Sequence, residues 1–345
     1  MYSITRDALS KLLAALSGEA SLLVPARTQD GQTDFVAYDG DTQVDLQTTL
    51  TATSVKNAFF PQVEQLLQFR TQGKQLAMEQ ILPSEAPVII FGLRACDARS
   101  LHILDRVFLQ EPVDSYYAAR RKHTLLIGLG CATPQETCFC HAFGIDAGAP
   151  DTDVRTWLTE DKLYWEPLTE QGRALTEWLR ELLVQEADEE SVVEQRERTR
   201  QLLRLLPLHD FRVDATLPQK EQAVFNSEIW ERLSPDCLSC CSCTYVCPTC
   251  HCYDIRDYQV DERTTERFRC WDSCMSRDFT KMAHGNPRKT RLERFRQRYM
   301  HKLVYFPGNN DGVVACVGCG RCLRKCPVHL NIVKVAKALE VSDDV

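Results

Sequence analysis

The chain has 345 residues, 44% of them hydrophobic, a formal net charge of −7 and seventeen cysteines. The acidic balance argues against nucleic acid as a general partner. The longest apolar runs, residues 88–93 and 125–129, fall far short of the ~20 residues of a membrane-spanning helix. Met1-Tyr2-Ser3-Ile4-Thr5-Arg6-Asp7 has neither the basic nor the apolar region of a signal peptide. We therefore expect a reducing, cytoplasmic setting, in which cysteines at metal-site spacing bind metal.

Residues 1–220 read as an α/β domain with parallel βαβ elements. Pro87-Val88-Ile89-Ile90-Phe91 is a short β-branched apolar run closed by Gly92, the pattern of a buried strand. Residues 97–108 follow with Leu101, Leu104, Val107 and Phe108 at helical spacing, and Asp97 is placed to cap that helix. A second strand, residues 124–128, runs into Gly130-Cys131. Strand, helix and strand in this order predict a right-handed crossover between parallel neighbours. Residues 175–206 form a charged helical stretch with Leu179, Leu182, Leu183, Leu202, Leu203 and Leu205 as its apolar positions, and the acidic run 186–190 predicts a break in it. Residues 207–218 read as a linker.

Residues 221–345 read as a second domain, an α+β ferredoxin-type unit with two [4Fe-4S] sites and a long insertion, 248–315. The dense basic residues from Arg288 to Lys302 read as a solvated face. A helix is expected over 330–339, after Pro327, since proline suits the first turn of a helix.

Two copies of one cysteine pattern carry the chemistry. The first is Cys237, Cys240, Cys243 and Cys247-Pro248; the second is Cys316, Cys319, Cys322 and Cys326-Pro327. This spacing wraps three thiolates around one [4Fe-4S] cube and sends the fourth to the other cube. Cys237, Cys240, Cys243 and Cys326 are thus assigned to one cube, and Cys316, Cys319, Cys322 and Cys247 to the other. Zinc would ordinarily take two paired cysteines or a cysteine–histidine mixture. Cys96, Cys131, Cys138 and Cys140 are the only cysteines before residue 237. They follow the two predicted strands and would meet at the carboxyl edge of the sheet. A third [4Fe-4S] cluster is the preferred reading there, with structural zinc and plain buried thiols as alternatives. Three cubes predict about twelve irons per chain.

Cys241, Cys250, Cys252, Cys270 and Cys274 are left over and read as buried thiols near the cubes. His251 and His284 read as structural or solvated. Tyr245, Tyr253, Phe268 and Trp271 read as packing that keeps water off the clusters. No P-loop, dinucleotide-binding glycine motif, Ser-His-Asp set or zinc-protease helix is present; Gly128-Leu129-Gly130 lacks the third glycine. The chain is expected to move electrons and to carry no catalytic residue. A redox-sensing or structural iron-sulfur scaffold is the competing class of function, and cluster potentials would separate the two.

Several stretches occur together in one order: Arg94-Ala95-Cys96-Asp97, Cys131 with Cys138-Phe139-Cys140, Cys247-Pro248-Thr249-Cys250-His251-Cys252 and Trp271-Asp272-Ser273-Cys274. Gly285-Asn286-Pro287-Arg288 and Cys316-Val317-Gly318-Cys319-Gly320-Arg321-Cys322 complete the set. Over residues 87–330 the chain resembles the iron-sulfur beta subunit of cytoplasmic NAD(P)-linked nickel-iron hydrogenases (sulfhydrogenases), and it is similar to the A subunit of anaerobic sulfite reductase. The resemblance implies a relay between a flavoprotein partner that oxidises NAD(P)H and a catalytic metal subunit of nickel-iron or sirohaem type. Cys241 departs from the family pattern, standing where glycine is usual, and Cys270 is an additional cysteine.

Overall fold

A computed structural model describes residues 1–187 and 189–341. The first sheet has eight strands in the order β10-β1-β9-β8-β7-β6-β2-β3. Its members are β1 (Tyr2–Thr5), β2 (Ser21–Arg27), β3 (Thr33–Ala37), β6 (Val88–Leu93), β7 (Thr124–Leu129), β8 (Val154–Leu158), β9 (Lys162–Pro167) and β10 (Val184–Gln185). β2, β6, β7 and β8 pair in parallel, and the flanking strands pair antiparallel.

β6 is apolar at every position because both faces of the sheet are covered. Ile89 and Phe91 join one core with Leu12, Leu16, Ile127 and Trp165. Ile90 and Leu93 join another with Phe59, Phe60, Leu101, Leu104 and Tyr117. Each such side chain contributes about 1.5–3 kcal/mol on burial. Both expected strands are present, and they are parallel neighbours with Ile89 opposite Leu125.

The helix between them differs at its start. It spans Ala95–Phe108, its N-cap is Arg94, and no side chain caps it. Asp97 lies inside the first turn because its carboxylate is held by Arg321 instead. The charged stretch 175–206 is also divided differently. Its helices are Glu170–Trp178 and Glu190–Arg204, and β10 lies between them, paired with β1 at the sheet edge.

A second sheet has the order β11-β12-β4-β5, with β4 (Val63–Gln72), β5 (Gln75–Gln80), β11 (Tyr253–Gln259) and β12 (Thr264–Trp271). The insertion between the two cysteine motifs therefore supplies a hairpin that pairs with a hairpin from the first third of the chain. Arg269 of β12 fastens this junction. It is buried and donates to Glu64 at 2.6 Å; it also pairs with Asp114, and Arg120 pairs with Glu64. The C-terminal helix Ile332–Val341 packs with Trp230, Phe295, Tyr299 and Leu303 in the core under the cysteine motifs. Among the described residues no helix is long and apolar enough to cross a membrane.

Candidate metal centres

The four N-terminal cysteines come together at the carboxyl edge of the parallel sheet. Cys96 sits in the first turn after β6, and Cys131 lies two residues past β7. Arg94 clamps these two strand ends: its guanidinium donates to the Gly130 carbonyl at 3.0 Å and to the Leu46 and Thr48 carbonyls at 2.6 and 3.0 Å. Cys138 and Cys140 return from the following loop, and all four sulfurs pack with Ala147, Ile145 and Leu203. Thr199, on the helix Glu190–Arg204, donates to the Cys131 carbonyl at 2.6 Å and closes the site from outside. Burial pushes the Cys138 thiol up to about 11 and raises the Cys96, Cys131 and Cys140 thiols as well. Unmetallated, the group is neutral; thiolate ligation would release its protons.

The two ferredoxin loops share one backbone design. Residues Ser239 and Cys241 flank Cys240 at φ 53° and 63°, and Gly318 and Gly320 flank Cys319 at φ 61° and 77°. The left-handed residues turn successive thiols inward and start the short helices Ser242–Tyr245 and Arg321–Lys325. Cys241 thus adopts the conformation for which glycine is the usual residue. Only the second loop demands glycine sterically. A Cβ on Gly318 would lie 2.4 Å from the Phe139 carbonyl oxygen, and one on Gly320 would lie 2.3 Å from that of Thr137. The Phe139 amide donates to the Gly318 carbonyl at 2.9 Å. The second ferredoxin loop is therefore seated directly on the N-terminal cysteine loop.

Cys237, Cys240, Cys243 and Cys326 line one cavity, closed by Met275, Phe295 and Tyr299. Cys247 is an electrostatic neighbour of Cys316, Cys319 and Cys322. The fourth cysteine of each motif thus stands with the other motif's three. Backbone N–H groups of Ser239 and Leu330 donate to the Cys237 and Cys326 sulfurs at 3.4 and 3.2 Å, contacts that tune a cluster's potential. Soft thiol donors in groups of four, walled by aromatic and aliphatic side chains, fit [4Fe-4S] cubes. Among the described residues no three Cys, His, Asp or Glu side chains converge closely enough for a single metal ion. A cube takes its thiolates at outer corners, further apart than the ligands of one ion.

The basic run 288–302 is a solvated face only in part, with Lys289 and Arg291 exposed. Arg294, Arg298 and Lys302 are buried, because four-residue spacing along the helix Arg291–Met300 and the π-helical turn His301–Tyr305 puts all three on the core side. That spacing, shared by Phe295, Tyr299 and Leu303, is the signal that identifies them. Lys302 donates to Thr249 Oγ1 and the Ala315 carbonyl, both at 2.8 Å, beside Cys247, Cys250 and Cys316. Lys56, from the first third of the chain, donates to the Cys250 carbonyl at 2.9 Å. Sequence reasoning missed it, since an isolated lysine carries no pattern.

The aromatics divide. Trp271 packs on Phe60, with the Lys56 ammonium 3.7 Å from its ring centre, whereas Tyr245 and Tyr253 are each 39% exposed, Tyr253 meeting Phe60 edge-on. His251 is a half-buried structural histidine; its Nδ1 lies 3.1 Å from the Thr249 carbonyl and its ring meets Phe108 and His301 edge-on. Of the leftover cysteines, Cys270 stands apart on β12 beside Arg256, Asp254 and Asp272, whereas Cys250, Cys252 and Cys274 gather beside Cys247.

Paired cysteine loops of this geometry define a [4Fe-4S] dicluster protein, and residues 236–330 match the family model described as a 4Fe-4S dicluster domain. Over 252 residues the chain is 33% identical to "Sulfhydrogenase 2 subunit beta" of Pyrococcus furiosus, with 72% of each chain covered. The chain belongs to the sulfhydrogenase beta-subunit family and is an iron-sulfur electron-transfer subunit.

Proposed function

We propose that this chain relays single electrons in the cytoplasm between a flavoprotein partner that oxidises NAD(P)H and a catalytic nickel-iron subunit of a hydrogenase complex. In this reading residues 1–220 and 221–345 form two units carrying three cubes in series. The first cube is held by Cys237, Cys240, Cys243 and Cys326, the second by Cys247, Cys316, Cys319 and Cys322, and the third by Cys96, Cys131, Cys138 and Cys140.

One observation supports the series above all others: the thiol groups are consecutive neighbours. Cys243 of the first group adjoins Cys247 of the second. Cys319 of the second adjoins Cys96 and Cys138 of the third. When bound, a [4Fe-4S] cube supplies storage of one electron at a time, whereas nicotinamide delivers two as hydride and needs a flavin to split them. The protein's own part is to exclude water, to offset thiolate charge with the buried Arg298 and Lys302, and to fix the spacing between groups.

The test uses the flavin-free chain. It should bleach with dithionite and resist NADH and NADPH, and adding the flavoprotein partner should bring nicotinamide-driven bleaching. Reduction of the isolated chain by NADPH at a catalytically useful rate would overturn the relay reading.

A further inference from the structure

Lys302 reaches two ligands of the second cube through one hydroxyl and one carbonyl. Its Nζ donates to Thr249 Oγ1 and to the Ala315 carbonyl, both at 2.8 Å. Thr249 Oγ1 donates to the same carbonyl at 2.8 Å and lies 3.3 Å from the Cys247 sulfur. Ala315 immediately precedes Cys316, so the ammonium stands between the crossover thiol of the first motif and the first thiol of the second. Lys56 approaches the same crossover thiol from the opposite half of the molecule. It donates to the Cys250 carbonyl at 2.9 Å, its ammonium over the Trp271 ring. Of its sulfur neighbours Cys250, Cys247 and Cys252, only Cys247 is an assigned ligand. Lys56 and Lys302 are 2% and 4% exposed, and neither pairs with a carboxylate among the described residues.

The other two groups are surrounded differently. Beside the first, buried Arg298 donates to the Cys243 carbonyl at 3.3 Å but also neighbours Cys322, so its charge is shared with the second. Arg291, which donates to the Cys237 carbonyl at 3.2 Å, is exposed and is screened by water and salt. The sheet-edge group has Arg94 near Cys131, opposed by Asp97 and Asp146. Asp97 is itself paired with Arg321, and Asp146 with the partly exposed Arg196 and Arg200. Charges there come in opposed sets. Reduction adds one negative charge to a cube and its thiolates, and a buried cation close by favours that reduced form because the interior screens it less than water does. Net charge and hydrogen bonding near the sulfurs are what set a cluster's potential.

We propose that Lys302 and Lys56 make the second cube the highest-potential member of the series, so that the first electron to enter rests in the middle. The inference rests on the three-group assignment above and names the residues that govern its order. A flavin that splits a hydride releases two electrons singly, and a middle site of higher affinity holds one while the other follows.

The test is an anaerobic potentiometric titration of the full, iron-loaded chain followed by EPR, with iron and acid-labile sulfide measured on each sample. In wild type one centre should be reduced ahead of the others. In Lys302→Met and in Lys56→Met that centre alone should move to lower potential with iron retained. The expected shift is about tenfold in its reduction equilibrium, which is about 59 mV for one electron. Lys302→Arg, which keeps the charge, should keep the midpoint. Cys140→Ser, which removes the sheet-edge group, should leave the first-reduced centre in place.

An unmoved midpoint in iron-replete Lys56→Met overturns the proposal even where Lys302→Met loses its cluster, because Lys56 lies outside the Thr249–Ala315 bonds that position two ligands. Loss of iron from Lys56→Met overturns it as well, since the lysine would then serve assembly and not potential. Disappearance of the first-reduced centre in Cys140→Ser also overturns it, by giving the highest potential to the third group. About eight irons per wild-type chain would instead remove the third cube from the relay reading, and the Lys56→Met midpoint would still decide the order of the remaining two.

Discussion

The Arg321 guanidinium donates two hydrogen bonds to the Asp97 carboxylate, at 2.6 and 2.8 Å, and both side chains are 2% exposed. Asp97 follows Cys96 in the sheet-edge group, and Arg321 lies between Cys319 and Cys322 of the second ferredoxin loop. This ion pair, with the Arg321 bonds to the Thr51 carbonyl and hydroxyl at 3.0 and 2.8 Å, locks two cysteine groups from distant parts of the chain into one arrangement. Such two-point pairing with a planar guanidinium sets orientation as well as separation.

Breaking this pair on one side should be costly. Asp97→Asn leaves a buried guanidinium uncompensated and should destabilise the loaded protein by about 3–5 kcal/mol. The double variant Asp97→Leu/Arg321→Met removes both charges and should recover much of that loss. Thermal midpoints under anaerobic conditions check both, and a double variant no better than the single would show that packing, not charge, dominates.

The two ferredoxin loops should respond oppositely to the same kind of change. Gly320→Ala would drive a Cβ into the Thr137 carbonyl from a left-handed backbone, costing about 1–3 kcal/mol and loosening the seat of the N-terminal cysteine loop. Cys241→Gly, at the equivalent place in the first loop, relieves a left-handed cysteine and should cost no stability and no iron. Iron content and melting temperature of the two variants decide the matter.

Ligand loss should spread differently in the two halves. Cys140→Ser should remove one signal from the EPR spectrum of the reduced protein. Cys322→Ser should disturb both ferredoxin cubes, since Cys247 and Cys326 cross between the motifs. An intact EPR spectrum in Cys140→Ser would rule out a cluster at the sheet edge.

Acid should weaken the fold through two histidines. Burial depresses His251 to about 3 and His301 to about 4, from an ordinary 6.5. Both rings stay neutral in the fold while the unfolded chain takes up protons below 6.5. Stability is therefore lost as pH falls from about 6.5 toward 4, by up to about 1.4 kcal/mol per pH unit for each ring. The double variant His251→Gln/His301→Gln should show a smaller drop in melting temperature between pH 7.5 and 5.5 than wild type. An equal drop would assign the acid sensitivity to other groups.

The residues themselves determined the strands β6 and β7, because an apolar run such as 88–93 or 125–129 has no stable place except between two covered faces of a sheet. They also determined the two cysteine loops, since ligand spacing within a few residues is set by local backbone geometry alone. The departures share a different cause. Asp97 satisfies every local criterion for a helix cap, and Arg298 and Lys302 those of a solvated charged face; in each case a partner more than 40 residues away, or a buried sulfur group, overrode the local preference. The pairing of β4 with β12, the seating of Gly318 and Gly320 on the Thr137–Phe139 carbonyls, and the approach of Lys56 to Cys250 likewise join segments far apart in the chain. Local pattern records what each segment can do by itself. Which cation meets which group of thiols is decided only when the chain closes, because electrostatic and steric complementarity are properties of the assembled interior.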